Sequence, residues 1–343
     1  MQIARLRLQN FKGIEDLELS FLKEGTDEPR PVTLLLGDNG AGKTTVLQAI
    51  AFVLSLAKAG DTVPNDFSWP GFLVDRISTL GSTRVELDVV FDPDELKAIQ
   101  YIQQRDRGER FGSSPARQLR RSVTLIYENG RVELASPGME LGRRVELFLA
   151  RSLVIELFHG QPEQWSLLRR IGDVFWFDQN RNVLALPRLR DSMITLWAAH
   201  RSVRRSSVPD YLGELESRFA ELFPGTRFIG VEPRKTSSEF RSSDAYFLLE
   251  RGGRVYDIAE MSSGEQAIFP LLYSFVLQGI SRSVVLIDEL ELHLHPPQQQ
   301  SLMAALRRIG PDCQFIVTSH SPYLEQMTPD EDEIRLPGGQ RCL

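Results

Sequence analysis

The chain has 343 residues, a formal net charge of −6 and two cysteines, Cys313 and Cys342. That length buries a core in one large domain, in two ordinary ones, or in one domain interrupted by an insertion, while two thiols are too few for a disulfide framework or a thiolate metal site and fit a reducing compartment. The acidic balance excludes a global attraction to nucleic acid, and no apolar run approaches the ~20 residues that span a bilayer, so a cytoplasmic protein without a membrane partner is expected.

Met1-Gln2-Ile3-Ala4-Arg5 leads into a strand pattern and not a signal peptide. Ile3, Leu6 and Leu8, then Leu17, Leu19 and Phe21, alternate with polar residues around Asn10-Phe11-Lys12-Gly13, the pattern of a hairpin-like pair. The apolar run Val32–Leu36 reads as a buried strand and Thr44–Leu56 as a helix. Between them, Gly37-Asp38-Asn39-Gly40-Ala41-Gly42-Lys43-Thr44-Thr45 fits the phosphate-binding loop, two glycines five apart followed by Lys and Thr. Glycines let successive N–H groups curl around a phosphate at a helix N-terminus, where unpaired donors and the helix dipole favour an anion. Asn39, Gly40, Ala41, Gly42, Lys43, Thr44 and Thr45 are therefore the expected residues for a nucleoside triphosphate, with Lys43 on the β and γ phosphates and the Thr44 hydroxyl on Mg²⁺.

Arg84–Phe91 and Ser122–Leu134 alternate as strands, the second folded at Asn129-Gly130, so an antiparallel subdomain is expected, with a helix at Pro93–Arg107 and a mobile loop at Arg107–Arg117. Two arginine patches, Arg105–Arg121 and Arg201-Ser202-Val203-Arg204-Arg205, are candidate DNA contacts or simply solvated faces. Arg143–Leu157 and Gln161–Ile171 read as helix or mixed, and Val174–Phe177 as a short strand ending at Asp178-Gln179-Asn180-Arg181. Asp191–Ser202 and Val208–Phe223 read as helices; Phe228–Val231, Ala245–Glu250 and Val255–Ile258 read as strands. No heptad run supports a long coiled coil. From Gly264 onward helices (Gly264–Gln278, Pro297–Ile309) alternate with strands (Ser283–Asp288, Gln314–Thr318), the pattern of a parallel α/β core.

Val284-Val285-Leu286-Ile287 delivers Asp288 and Glu289 to a strand end, where ligands sit in open parallel sheets. Beside a phosphate loop the pair reads as a metal carboxylate, Asp288, and a water-activating carboxylate, Glu289, rather than a solvated sheet edge. Met261-Ser262-Ser263-Gly264-Glu265-Gln266 opens a helix: it is either a phosphate-docking terminus or an ordinary capping box in which Ser262 pairs with Glu265.

Ser-Ser-Gly-Glu-Gln about twenty residues before Ile-Asp-Glu, with the P-loop upstream and Thr318-Ser319-His320-Ser321-Pro322 downstream, resembles an ABC-type ATPase. The opening Leu6-Arg7-Leu8-Gln9-Asn10-Phe11-Lys12-Gly13 and the Gly-Asp-Asn-Gly-Ala-Gly-Lys-Thr-Thr loop resemble, more narrowly, the RecF, SMC and OLD-like branch, whose members act in DNA repair, chromosome maintenance and anti-phage defence. The resemblance covers nearly the whole chain. It implies a P-loop NTPase with an ABC-ATPase head: an antiparallel β subdomain, a parallel α/β core and a helical insertion. The expected divisions are 1–181 (first ATPase lobe), 182–260 (helical and β insertion) and 261–343 (signature helix, acidic pair and switch histidine). It further implies that Ser262, Ser263, Gly264 and Glu265 form the signature that reaches across a dimer to the γ-phosphate. Gln179 becomes the Q-loop glutamine on metal or attacking water, and His320 the switch histidine. Ser263 stands where most ABC proteins have glycine, and His295 where transporters carry an aspartate. His293 and His295 could pair on a metal, but no third ligand is evident.

The expected function is a Mg²⁺-dependent ATP hydrolase that forms a homodimer, or a higher homo-oligomer, around sandwiched ATP and drives or gates a DNA-related or anti-phage process. The alternative is an ATP-sensing scaffold that holds a separate effector, a nuclease or toxin, with little turnover. Direct DNA clamping through the arginine patches is a third reading. After His320 only 23 residues follow, too few for a Toprim-type nuclease module.

Overall fold

The computed structural model describes residues 1–59, 69–77, 81–110, 121–135, 147–159, 161, 163–178, 186–202, 209–233, 245–292 and 294–337. The expected loop at Arg107–Arg117 lies largely outside these residues, and Val203, Arg204 and Arg205 of the second patch lie wholly outside them, as do Gln179 and His293.

Three sheets organise the described chain. The first is antiparallel in the order β2-β1-β4-β5-β6, built from β1 (Gln2–Phe11), β2 (Ile14–Ser20), β4 (Arg84–Val90), β5 (Ser122–Glu128) and β6 (Arg131–Leu134). The opening pair and the Asn129-Gly130 hairpin thus join one sheet. Both turn residues have positive φ (52° and 80°), as a two-residue turn matched to strand twist requires.

The second sheet is parallel throughout, in the order β13-β3-β12-β11-β7. Its strands are β3 (Val32–Leu36), β7 (Val174–Phe177), β11 (Val284–Ile287), β12 (Gln314–Thr318) and β13 (Glu333–Arg335). β3, β11 and β12 are buried at every position because both faces of the sheet are covered, which is why they read as unbroken apolar runs and not as alternations. On one face α1 (Lys43–Ala59) lies between this sheet and the antiparallel one, so it is apolar nearly all round from Val46 to Ala57. On the other face α7 (Ser263–Gln278) and α8 (Pro296–Ile309) cover Val285, Ile287, Phe315 and Val317.

The third sheet, β10-β9-β8, consists of β8 (Thr226–Pro233), β9 (Ala245–Arg251) and β10 (Arg254–Asp257), and packs on α5 (Leu186–Ser202) and α6 (Tyr211–Leu222). The strand expected at Val255–Ile258 ends one residue early. Asp257 caps a 3₁₀ turn at Ile258–Glu260, accepting the Ala259 N–H at 3.0 Å, which removes Ile258 from the ladder. The remaining helices are α2 (Pro93–Arg110), α3 (Ala150–Leu157), α4 (Glu163–Leu168) and α9 (Pro322–Met327). Neither α9 nor β13 is legible in the sequence. No helix among the described residues is long and apolar enough to cross a membrane.

Candidate nucleotide site

The strand order places β3, β12 and β11 side by side, so their carboxyl ends bring three motifs far apart in sequence to one edge of the sheet. The P-loop leaves β3 at Gly37 and enters α1 at Lys43. Gly40 (φ 79°) and Gly42 (φ 91°) occupy the left-handed region, which a side chain at either position would strain. Lys43 is 6% exposed; its ammonium folds back on the loop, donating to the carbonyls of Gly37 (2.7 Å) and Asp38 (3.1 Å), and lies 3.4 Å from His320 Nδ1. Burial lowers the Lys43 pKa, against the pull of Glu289, Glu291, Asp288 and Asp38.

The Thr44 hydroxyl contacts both oxygens of Asp288, at 2.9 and 3.0 Å. Asp288 is fully buried and also accepts the Thr318 hydroxyl at 2.7 Å. Burial raises its pKa; the Thr318 and Thr44 hydrogen bonds and Lys43 work the other way, and the charge of Asp178 adds to the rise. Glu289 is half-buried with φ at 48°, a rare conformation for a non-glycine residue, fixed where its N–H donates to Thr318 Oγ1 at 2.8 Å. Burial raises its pKa as well, followed by the charges of Asp288 and Glu291, with His320 and Lys43 opposing.

His320 is exposed at the end of β12, and its backbone N–H donates to Glu291. A cavity of about 550 Å³ opens beside it, lined among others by Gly37, Asp38, Asn39, Ser319 and Arg335. On the other flank Lys12 reaches α1, donating to Gln48 Oε1 at 2.7 Å, with its ammonium 5.1 Å from the Phe72 ring centre. Thr44 and Asp288 offer a hydroxyl and a carboxylate, the hard oxygen ligands that Mg²⁺ prefers. Among the described residues no group of three or more His, Cys, Asp or Glu forms a cage of its own, as suits a cation held jointly with phosphates and water.

The signature residues sit elsewhere. α7 packs against α6 and α8, and no described hydrogen bond joins Ser262–Gly264 to the P-loop. Ser262 caps α7, and Glu265 is buried beneath it, accepting from Ser262 N–H and Oγ (2.7 Å each) and from the Tyr256 hydroxyl (2.9 Å). The capping box is therefore real, and Glu265 supports the turn from inside. Ser263 is exposed, and a Cβ added to Gly264 would meet no atom of the described residues within 4 Å.

Of the residues expected in the site, the fold thus gathers Asn39–Thr45, Asp288, Glu289 and His320, and holds Ser262–Glu265 apart; Gln179 lies outside the described residues. Sequence reasoning did not single out Thr318, Glu291 or Asp178. Thr318 had a signal, the polar end of an apolar strand; the other two acquire meaning only beside Asp288 and His320.

Two family models match the chain. One described as an AAA domain covers residues 5–145, and an AAA domain of the "AbiEii toxin, Type IV TA system" kind covers residues 167–324. Neither model alone covers half of the chain, and the relatives that the chain resembles are proteins of the retron ATPase, Septu, OLD nuclease and RecF kinds. The chain is 21% identical to the "Retron Vc95 probable ATPase" of Vibrio cholerae, over 97% of its own length and 74% of the relative's. It is 23% identical to the Septu protein PtuA of Bacillus thuringiensis, over 97% of its own length and 75% of that protein's. With the OLD nuclease of Thermus scotoductus it shares 24% identity over 93% of its own length and 59% of the nuclease's.

Proposed function

We propose that the protein hydrolyses ATP in a dimer that closes around two nucleotides and opens on hydrolysis, and that this cycle gates a defence process through a separate effector. The observation that carries the reading is the division of the site. Lys43, Thr44, Asp288, Glu289 and His320 converge on one edge of the sheet, while Ser262, Ser263 and Gly264 cap a helix on another part of the molecule. Among the described residues nothing packs where a Gly264 side chain would stand, so packing does not require a glycine there. An open helix N-terminus with an exposed serine suits a phosphate presented by a second copy of the chain.

In this reading the P-loop amides and Lys43 bind the β and γ phosphates. Thr44 and Asp288 are the groups to hold Mg²⁺, which supplies charge neutralisation between those phosphates. Glu289 accepts the proton of the attacking water, His320 contacts the γ-phosphate from the cavity side, and Gln179 is the Q-loop residue by resemblance alone. Loss of the γ-phosphate removes what the partner's Ser263 and Gly264 grip, so hydrolysis releases the dimer.

The test is light scattering of Glu289→Gln with ATP and Mg²⁺. Doubling of mass with nucleotide supports the sandwich; a mass that ignores nucleotide would move the ATP-sensing scaffold to first place. DNA retention on a filter at two ionic strengths tests clamping through the arginine patches, which predicts binding that weakens steeply with salt.

A further inference from the structure

Asp178 follows β7 and is 2% exposed. β7 and β11 run parallel with Phe177 opposite Ile287, and the Asp288 N–H donates to the Phe177 carbonyl at 2.9 Å. Asp178 and Asp288 are therefore the next residues on neighbouring strands, and side chains in that relation share a face of the sheet. The two buried acids differ in their partners. Asp288 accepts hydroxyls from Thr44 and Thr318, whereas Asp178 Oδ1 is buried without a hydrogen-bond partner among the described residues. A buried, unpaired carboxylate oxygen beside a second carboxylate is an arrangement a fold does not keep for stability, because desolvation and like-charge repulsion both oppose it. A cation with its water shell satisfies both groups at once.

We propose that Asp178 is a further acidic group of the divalent-cation site, accepting a hydrogen bond from water on the cation that Thr44 and Asp288 hold. The inference rests on the nucleotide-site reading above. Asp178 acts through that water as a positioning residue: it orients the hydration shell and adds negative charge where the cation enters.

The experiment measures Mn²⁺ binding by electron paramagnetic resonance in the presence of a non-hydrolysable ATP analogue, for the wild-type protein, Asp178→Asn and Asp178→Ser. Analogue binding in EDTA and the melting temperature of nucleotide-free protein are measured alongside. Loss of an outer-shell carboxylate should raise the Mn²⁺ Kd by about 10- to 100-fold, leave analogue binding in EDTA unchanged, and leave the nucleotide-free melting temperature equal or higher. An Mn²⁺ Kd within twofold of wild type in both variants overturns the proposal while leaving the nucleotide site intact. Variants that melt lower and lose analogue binding in EDTA, or that do not fold, assign Asp178 a structural role and overturn it equally. Absence of Mn²⁺ binding by the wild-type protein with analogue would sink the nucleotide-site reading itself.

Discussion

The hydroxyl of Thr318 donates to Asp288 at 2.7 Å, and the same oxygen accepts the N–H of the next residue, Glu289, at 2.8 Å. One side chain at the end of β12 thereby holds both the Asp288 carboxylate and the positive-φ backbone of Glu289, the two groups proposed for metal and water. Thr318→Val keeps the shape but deletes both bonds. It should cost roughly 1.5–3 kcal/mol of stability, the worth of a hydrogen bond to a buried charge, and lower turnover tenfold or more. Thr318→Ser should retain most of both. Urea unfolding and phosphate release check the pair; a Val variant as active as wild type would remove Thr318 from the site.

Glu289→Gln should leave ATP affinity near wild type and cut phosphate release by about 10²–10⁴-fold, the range for losing a general base. The reason is local: Asp288, Thr44 and Lys43 do not depend on the Glu289 carboxylate for their hydrogen bonds. A fluorescent ATP titration beside a phosphate-release assay separates the two effects.

Lys43→Ala should act on binding first. The ammonium is pre-folded against the Gly37 and Asp38 carbonyls, and its charge opposes those of Asp288 and Glu289. Losing charge-assisted bonds to phosphate should weaken ATP binding by about 10- to 100-fold. Calorimetry with ATP and Mg²⁺ reads this directly.

The raised carboxyl of Glu289 carries a pH signature. Its pKa in the folded protein lies above the ordinary 4.5, through burial and then the neighbouring Asp288 and Glu291 charges. The native state therefore binds more protons than the unfolded chain across that window, and stability is present at the acidic side and lost as pH rises through the folded value. Nucleotide-free Glu289→Gln should accordingly melt higher than wild type at pH 8, with the gap closing towards pH 4. Turnover runs the other way, falling as acid protonates the base. Melting curves and phosphate release across pH 4–8 test both signs.

Gly264→Ala should leave the isolated chain as stable or raise its stability by less than about 1 kcal/mol, because the added methyl meets no described atom and the residue lies in the first turn, where helix propensity counts for less than in the interior. Gly264→Asp should preserve ATP binding to the P-loop yet abolish ATP-dependent dimerisation, since a carboxylate then faces the partner's phosphate. Sedimentation with ATP and Mg²⁺ distinguishes them; a dimer unaffected by Gly264→Asp would place the interface elsewhere.

The sequence by itself determined the elements whose reasons are local. The glycines of the P-loop, the apolar runs of β3, β11 and β12, the Asn129-Gly130 turn and the Ser262–Glu265 capping box are each set by backbone freedom, burial on both sheet faces or a nearby hydrogen bond, and each was legible in the residues. Resemblance supplied the pairing of those motifs into one ATPase. Only the tertiary structure decided that Thr318 links Asp288 to Glu289, that Glu291 receives the His320 N–H, and that Asp178 stands beside Asp288 with an oxygen that has no hydrogen-bond partner among the described residues. These are relations between strands far apart in the chain, fixed by the order β3-β12-β11-β7. A linear pattern cannot encode them, because a side chain's partners across a parallel sheet depend on strand order and register and not on its neighbours in sequence.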